Sequence, residues 1–205
     1  MTSHQTFFEK IDDFKEIVSN TTLRFEPGSK WSYSNLGYLL LGFVIQNVTG
    51  NYYNYVKDNI FKKTQMNDSD FLFYDEAIEN SATAYYFDDN YGIWRSFINK
   101  PVTKGTSAGG CYSTVGDLTK FVNALHKNVL ISSESVSKAT TAKPEVNSPS
   151  YGYGFFVDEK KISHTGDGTG VNARLVHYKD GMTIVILSNY TNGVEKVENI
   201  YNSLC

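Results

Sequence analysis

Trp31-Ser32-Tyr33-Ser34-Asn35, continued by LGYLLLGFVIQNVTG over residues 36–50, is the stretch on which the rest of the reading turns. Ser34 or Asn35 can cap a helix by accepting a backbone N–H of its first turn, and Gly50 supplies the left-handed residue on which helices commonly end. Between these signals the chain is apolar on nearly every face, which predicts a helix covered on both sides. Its most apolar part, Leu36 to Ile45, is ten residues long, whereas a bilayer span needs about 20. No transmembrane segment is expected, and the run reads as a core helix.

Upstream, Phe25-Glu26-Pro27-Gly28-Ser29 forces a turn, because proline restricts φ and glycine admits positive φ. Before it, Phe7, Phe8, Ile11, Phe14, Ile17 and Val18 recur at the 3/4 spacing of a short amphipathic helix. Downstream, residues 51–63 (NYYNYVKDNIFKK) read as a third helix, and residues 64–104 as a long aromatic connection that could wall a cleft. Thr114 to Asp117 has capping-box spacing, with Asp in place of Glu, and opens a helix through LTKFVNALHK.

After Pro144 the pattern changes. YGYGFFV, KISHTG, NARLVHY and MTIVILSN are short, aromatic or β-branched segments, and Lys179-Asp180-Gly181 is placed as a hairpin turn between the last two. These predict an antiparallel sheet, on which a helix over 194–204 can lie. The fold class is therefore α+β, an antiparallel sheet flanked by helices. Residues 1–145 form its mainly helical part, and residues 146–205 its strands and C-terminal helix.

Composition narrows the function. The 205 residues are 40% apolar and 15% aromatic, which supports one sizeable core rather than a disordered segment. Nineteen Lys and Arg against 22 Asp and Glu leave a net charge of -3 with no basic stripe, so nucleic acid is not an expected partner. Cys111 and Cys205 have neither CxxC spacing nor a histidine cluster beside them, which removes a disulfide framework and a thiolate zinc site. His4, His126, His164 and His177 contain no HExxH or HxH pair, so a zinc hydrolase has no metal ligands here and no metal is expected; no cofactor is expected either. His177 reads as an ordinary strand residue and His126 as a cation favourable at a helix C-terminus.

Two motif matches lack their context. Gly105-Thr106-Ser107-Ala108-Gly109 matches G-x-S-x-G, but the helix that a nucleophile elbow needs directly after the serine begins several residues late. A tight glycine-rich turn is the better reading. Gly166-Asp167-Gly168-Thr169-Gly170 has neither the lysine of a phosphate loop nor its strand-to-helix setting, and its glycines suit close approach of a ligand to a sheet edge.

Three groups of residues in order carry a resemblance. They are Phe25-Glu26-Pro27-Gly28 with Trp31-Ser32-Tyr33-Ser34-Asn35 and the helix after it; Ser107-Ala108-Gly109-Gly110-Cys111-Tyr112-Ser113-Thr114 with Asp117; and Tyr153-Gly154-Phe155, His164-Thr165-Gly166 and Ser188-Asn189. Together they resemble the serine beta-lactamase and penicillin-binding protein superfamily, in its class C-like branch of beta-lactamases, D-alanyl-D-alanine carboxypeptidases and esterases. The resemblance covers about residues 22–189.

It implies roles. Tyr33 of Tyr-x-Asn would relay protons to and from a nucleophile, and Asn35 would bind the acyl-amide group of a small-molecule or peptide substrate. His164-Thr165-Gly166 stands where the family has Lys-Thr-Gly or His-x-Gly, so His164 would add positive charge near the leaving group. The backbone N–H of the following residue, Asp167, would form half of an oxyanion hole, and an acidic side chain there needs explaining.

The family nucleophile is the serine of Ser-x-x-Lys, upstream of Tyr-x-Asn, and nothing before Tyr33 fits it. The downstream match Ser135-Val136-Ser137-Lys138 lies in a polar stretch and is a chance occurrence. The expectation is thus a single incomplete domain over 1–205, the C-terminal part of such a hydrolase. Residues 1–18 show no signal-peptide pattern, and the resemblance suggests an extracytoplasmic or cell-envelope setting. An inactive chain that associates with itself through an open sheet edge is expected, with a non-catalytic ligand-binding module of the same fold as the alternative.

Overall fold

The computed structural model describes residues 10–73, 76, 78–97, 104–148, 150–195 and 197. A 3-10 turn, Ile11–Phe14, runs into α1, Lys15–Asn20; the start of the expected helix at Phe7 lies outside the described residues. Gly28 takes φ +79° in the turn, where Ser29 returns both its N–H and its hydroxyl to the Glu26 carbonyl, at 3.1 and 2.6 Å.

Helix α2 spans Asn35–Thr49, capped by the Ser34 hydroxyl accepting the Gly37 N–H and closed by Gly50 at φ 82°. One side carries Leu39, Gly42 and Phe43 into a core with Ile11, Tyr52 and Phe71. Gly42 is required there: a Cβ on it would lie 2.5 Å from Ile11 Cδ1 and closer still to Ser107 Oγ. The expectation that both sides are covered is not met, since Leu40, Leu41, Val44 and Val48 are 52, 56, 53 and 80% exposed. Periodicity reports which faces are apolar, while cover depends on what the fold stacks against them.

The expected third helix forms as α3, Tyr52–Val56, a π-helical turn, Lys57–Phe61, and α4, Lys62–Thr64. The connection that follows contains an unforeseen hairpin, β1 (Tyr85–Asp88) and β2 (Ile93–Ser96), in which Phe87 faces Trp94 and their rings meet edge to face at 5.5 Å. Helix α5, Val115–His126, begins as expected with the Thr114 hydroxyl accepting the Asp117 N–H, and α6 covers Ser133–Ala139. The Asp117 side chain does not complete a capping box. It is 1% exposed and accepts from the Asp68 N–H (2.8 Å), the Ser69 hydroxyl (2.9 Å) and Lys120 Nζ (2.7 Å), tying the loop after α4 to α5.

A four-stranded antiparallel sheet follows in sequential order: β3 (Phe156–Val157), β4 (Lys161–Gly168), β5 (Val171–Tyr178) and β6 (Thr183–Ser188). YGYGFFV supplies only its last two residues to β3, because Gly152 sits where a Cβ would strike the Ala139 carbonyl at 2.1 Å and Gly154 takes φ +88°. Lys179-Asp180-Gly181 turns β5 into β6 as expected, with Gly181 at φ +100°. Ile162 pairs with His177, whose ring stacks on His126 of α5 at 4.0 Å, so α5 covers the face that also carries His164. The other face packs Ser163, Val176 and Val194. Residues 193–195 and 197 are helical; the rest of the expected C-terminal helix lies outside the described residues.

Candidate active site

The wall of the candidate site is assembled from two distant segments. The extended stretch before the Ser34 cap presents Trp31 and Tyr33, and β4 presents His164. Tyr33, 43% exposed, places its ring 6.2 Å from the His164 ring, 6.5 Å from Phe156 in a stack and 6.2 Å from Tyr151 edge-on. The tertiary structure therefore brings together Tyr33 and His164, 131 residues apart in the sequence. Asn35 is the first residue of α2 and is exposed, directly beside this wall.

Strand register sets the backbone. Asp158 donates to the Lys161 carbonyl where β3 turns into β4, and alternation from that bond directs the N–H groups of residues 163, 165 and 167 to the β3 side. Because β3 pairs only with Ile162 and Ser163, no strand among the described residues covers that edge from His164 onward. The Asp167 N–H thus faces an open edge, as an oxyanion donor must. Its carboxylate is turned elsewhere: Oδ1 accepts from the side-chain amide N–H of Asn172, its cross-strand neighbour, and Asn172 Oδ1 in turn accepts the Val194 N–H at 2.8 Å. This accounts for an acidic residue at the position. Thr165 shares the side-chain face of Asp167 and offers its carbonyl to His164 Nδ1 at 2.7 Å, while Gly166 lies opposite Ala173.

Behind the wall stand residues that sequence reasoning missed. Tyr151, 4% exposed, contacts Trp31 (centroids 5.2 Å), Phe156 (4.9 Å) and His164 (6.4 Å). Its hydroxyl lies 3.0 Å from that of Tyr38 and 3.4 Å from His164 Nε2. Burial, then the Tyr38 hydroxyl, raises its pKa above the usual phenol range, so it stays a neutral phenol. Nothing in YGYGFFV separates Tyr151 from Tyr153, which is 66% exposed beneath the Lys143 ammonium.

Ser107 sits in a turn closed by Thr106 and Gly109, its Oγ buried against Gly42 and Ile11. Ser135 lies 3.0 Å from the Ser132 hydroxyl, and Lys138 is paired with Glu134 at 2.7 Å rather than with the serine. Desolvation of the Cys111 sulfur, reinforced by Asp70 and opposed by Lys57, pushes its thiol up to about 12. Among the described residues no three His, Cys, Asp or Glu side chains converge as metal ligands, and no helix is long and apolar enough to cross a membrane.

Similarity to known proteins gives the family. Residues 2–204 match the family model described as Beta-lactamase. PbpX of Bacillus subtilis (strain 168), named as a penicillin-binding protein, is 28% identical over 194 residues, which is 94% of this chain and 48% of that protein. The human serine beta-lactamase-like protein LACTB, mitochondrial, is 31% identical over 121 residues, 58% of this chain and 21% of its own length. The crystal structure of a penicillin binding protein from Bacillus halodurans superposes with a TM-score of 0.87 at 26% identity, over 99% of this chain and 66% of that one. The chain thus spans about half the length of PbpX. With the helix-flanked antiparallel sheet and the match over nearly every residue, the chain belongs to the beta-lactamase family.

Proposed function

We propose that this chain supplies the Tyr33 and His164 wall of the substrate cleft of a class C-like serine hydrolase, whose acyl-enzyme forms on a serine that is not among these residues. The observation that carries the reading is the convergence of Tyr33 and His164 beside an open β4 edge toward which the Asp167 N–H is directed. In the reaction, a serine hydroxyl attacks the carbonyl of a beta-lactam, a D-amino-acid peptide or an ester. The Tyr33 phenol passes the serine proton on toward the leaving group, Asn35 holds the acyl-amide group, and the Asp167 N–H stabilises the developing oxyanion. Water then cleaves the acyl ester and returns the proton to the serine.

The chain itself is expected to resist covalent labelling by fluorescent penicillin or a fluorophosphonate. The Ser107 Oγ is buried, and the Ser135 hydroxyl meets that of Ser132 while Lys138 is held by Glu134. Mass mapping that finds a stoichiometric adduct on either serine overturns the assignment. A polypeptide carrying Ser-x-x-Lys ahead of Tyr33 is expected to label on that new serine. That none of the hydrogen bonds or ring contacts of the described serines reaches Tyr33 or His164 is what favours the second reading, a non-catalytic binding module; there penicillin binds saturably, with no change in protein mass. An in-frame Ser-x-x-Lys upstream of Met1 decides for the hydrolase.

Self-association belongs to the same reading. Leu40, Val44 and Val48 form an exposed stripe one turn apart on α2, and no described residue pairs with the outer edge of β6. Both are surfaces that proteins normally cover. The isolated chain is expected to bind an environment-sensitive apolar dye and to associate in light scattering. A monodisperse, dye-silent monomer contradicts this.

A further inference from the structure

The phenol chain behind the wall has a direction. His164 Nδ1 lies 2.7 Å from the Thr165 carbonyl oxygen. A carbonyl only accepts, so Nδ1 carries the hydrogen. In the neutral ring Nε2 is then an acceptor, and the group facing it at 3.4 Å is the Tyr151 hydroxyl. Tyr151 has one hydroxyl hydrogen. If it donates to Nε2, its oxygen is free to accept from Tyr38, 3.0 Å away. Each hydrogen is used once and the chain runs one way: Tyr38 to Tyr151 to His164 to the Thr165 carbonyl. The opposite tautomer would set the Nδ1 lone pair against the lone pairs of that carbonyl.

We infer that Tyr151 is a positioning residue for His164: backed by Tyr38, its hydroxyl holds the imidazole in the Nδ1–H form and fixes the ring plane against Tyr33. The inference rests on the reading of His164 as a cleft residue. It changes what His164 offers. A neutral ring held this way has its Nε2 lone pair occupied. Tyr151 is well suited to this task. It is nearly fully buried and clamped by Trp31 and Phe156, so its oxygen is held by ring packing rather than by a flexible stem. The pairing of a buried phenol with a half-buried imidazole also leaves neither polar group orphaned.

The test uses the free chain labelled with 15N in its histidine rings. Two-bond proton–nitrogen correlations are recorded at about pH 9, where ordinary histidines are neutral. The His164 signals are identified by their loss in His164→Asn. The wild-type ring is expected in the Nδ1–H tautomer, with Nε2 shifted upfield as a lone pair that accepts a hydrogen bond. In Tyr151→Phe, which keeps the ring and removes only the oxygen, Nε2 is expected to move downfield toward the position of a nitrogen without a donor. Tyr38→Phe should move it in the same direction by less and serves if Tyr151→Phe does not fold. An Nε2–H tautomer in the wild type, or an unmoved Nε2 signal in a folded Tyr151→Phe, overturns the inference. The spectrum is read without substrate or turnover, so it stands or falls separately from the hydrolase reading, which the labelling experiment decides.

Discussion

Tyr33→Phe is expected to lower kcat/KM by about 10²- to 10⁴-fold, the usual loss when general acid-base help is removed, in a polypeptide that combines this chain with an upstream Ser-x-x-Lys. The substitution deletes one oxygen. It leaves the ring's stack on Phe156 and its edge contact with Tyr151 in place. Because Tyr33 is 43% exposed and its packing survives, stability should change by no more than about 0.5 kcal/mol, as for surface substitutions. The pairing of a large kinetic loss with an unaltered melting curve separates a catalytic phenol from a packing residue. Full activity in Tyr33→Phe would remove the Tyr-x-Asn assignment and the mechanism built on it.

Asp117→Ala should be the most damaging single change to folding. The carboxylate is 1% exposed and accepts from a backbone N–H, a hydroxyl and an ammonium that bridge the loop after α4 to the start of α5. The Lys120 ammonium left behind is 44% exposed and keeps the Gln65 carbonyl, so the cost falls on the Asp68 N–H and Ser69 hydroxyl, about 1–3 kcal/mol for buried groups that lose their acceptor. At roughly 2–4 °C per kcal/mol for a domain of this size, the melting temperature falls by roughly 2–12 °C. Burial alone would raise the carboxyl pKa, but the bonds from Lys120, Ser69 and the Asp68 N–H, with the Lys120 charge, outweigh it and hold the group below the usual carboxylate range. A folded pKa below the unfolded one stabilises the protein at pH values above the unfolded value, about 3.9, and that contribution disappears as pH falls through the folded value. The stability gap between wild type and Asp117→Asn should therefore be full near neutrality and close in strong acid. A gap of the same size at pH 7 and in strong acid would show that the carboxylate's charge does not contribute.

Much of the fold was legible residue by residue. Ser34 and Gly50 bound α2, Thr114 opens α5, and Lys179-Asp180-Gly181 turns β5 into β6 because each signal is a hydrogen bond or a φ value settled within a few residues. Tyr33 and His164 were legible only through the order of three motifs, since one tyrosine among 15 carries no mark of its own. The β1–β2 hairpin was hidden in an aromatic stretch with weak alternation. What holds it is the Phe87 and Trp94 pair together with the Tyr85 N–H bound to the Asn189 carbonyl at 2.8 Å, a contact across more than 100 residues.

By itself the sequence determined the ends of α2, the start of α5, the sequential strands of the C-terminal sheet with the turn between β5 and β6, and the family, because all of these depend on local backbone preference and on ordered short motifs. Only the tertiary structure decided that one face of α2 stays open, that Asp117 is a buried tie rather than a cap, that Asn172 draws the Asp167 carboxylate away from the cleft edge, and that Tyr38 and Tyr151 stand behind His164. The physical reason is that burial and hydrogen-bond partnership belong to pairs of surfaces: the oxygens of Tyr38 and Tyr151 lie 113 residues apart along the chain and 3.0 Å apart in space, a proximity created by packing and encoded in neither segment alone.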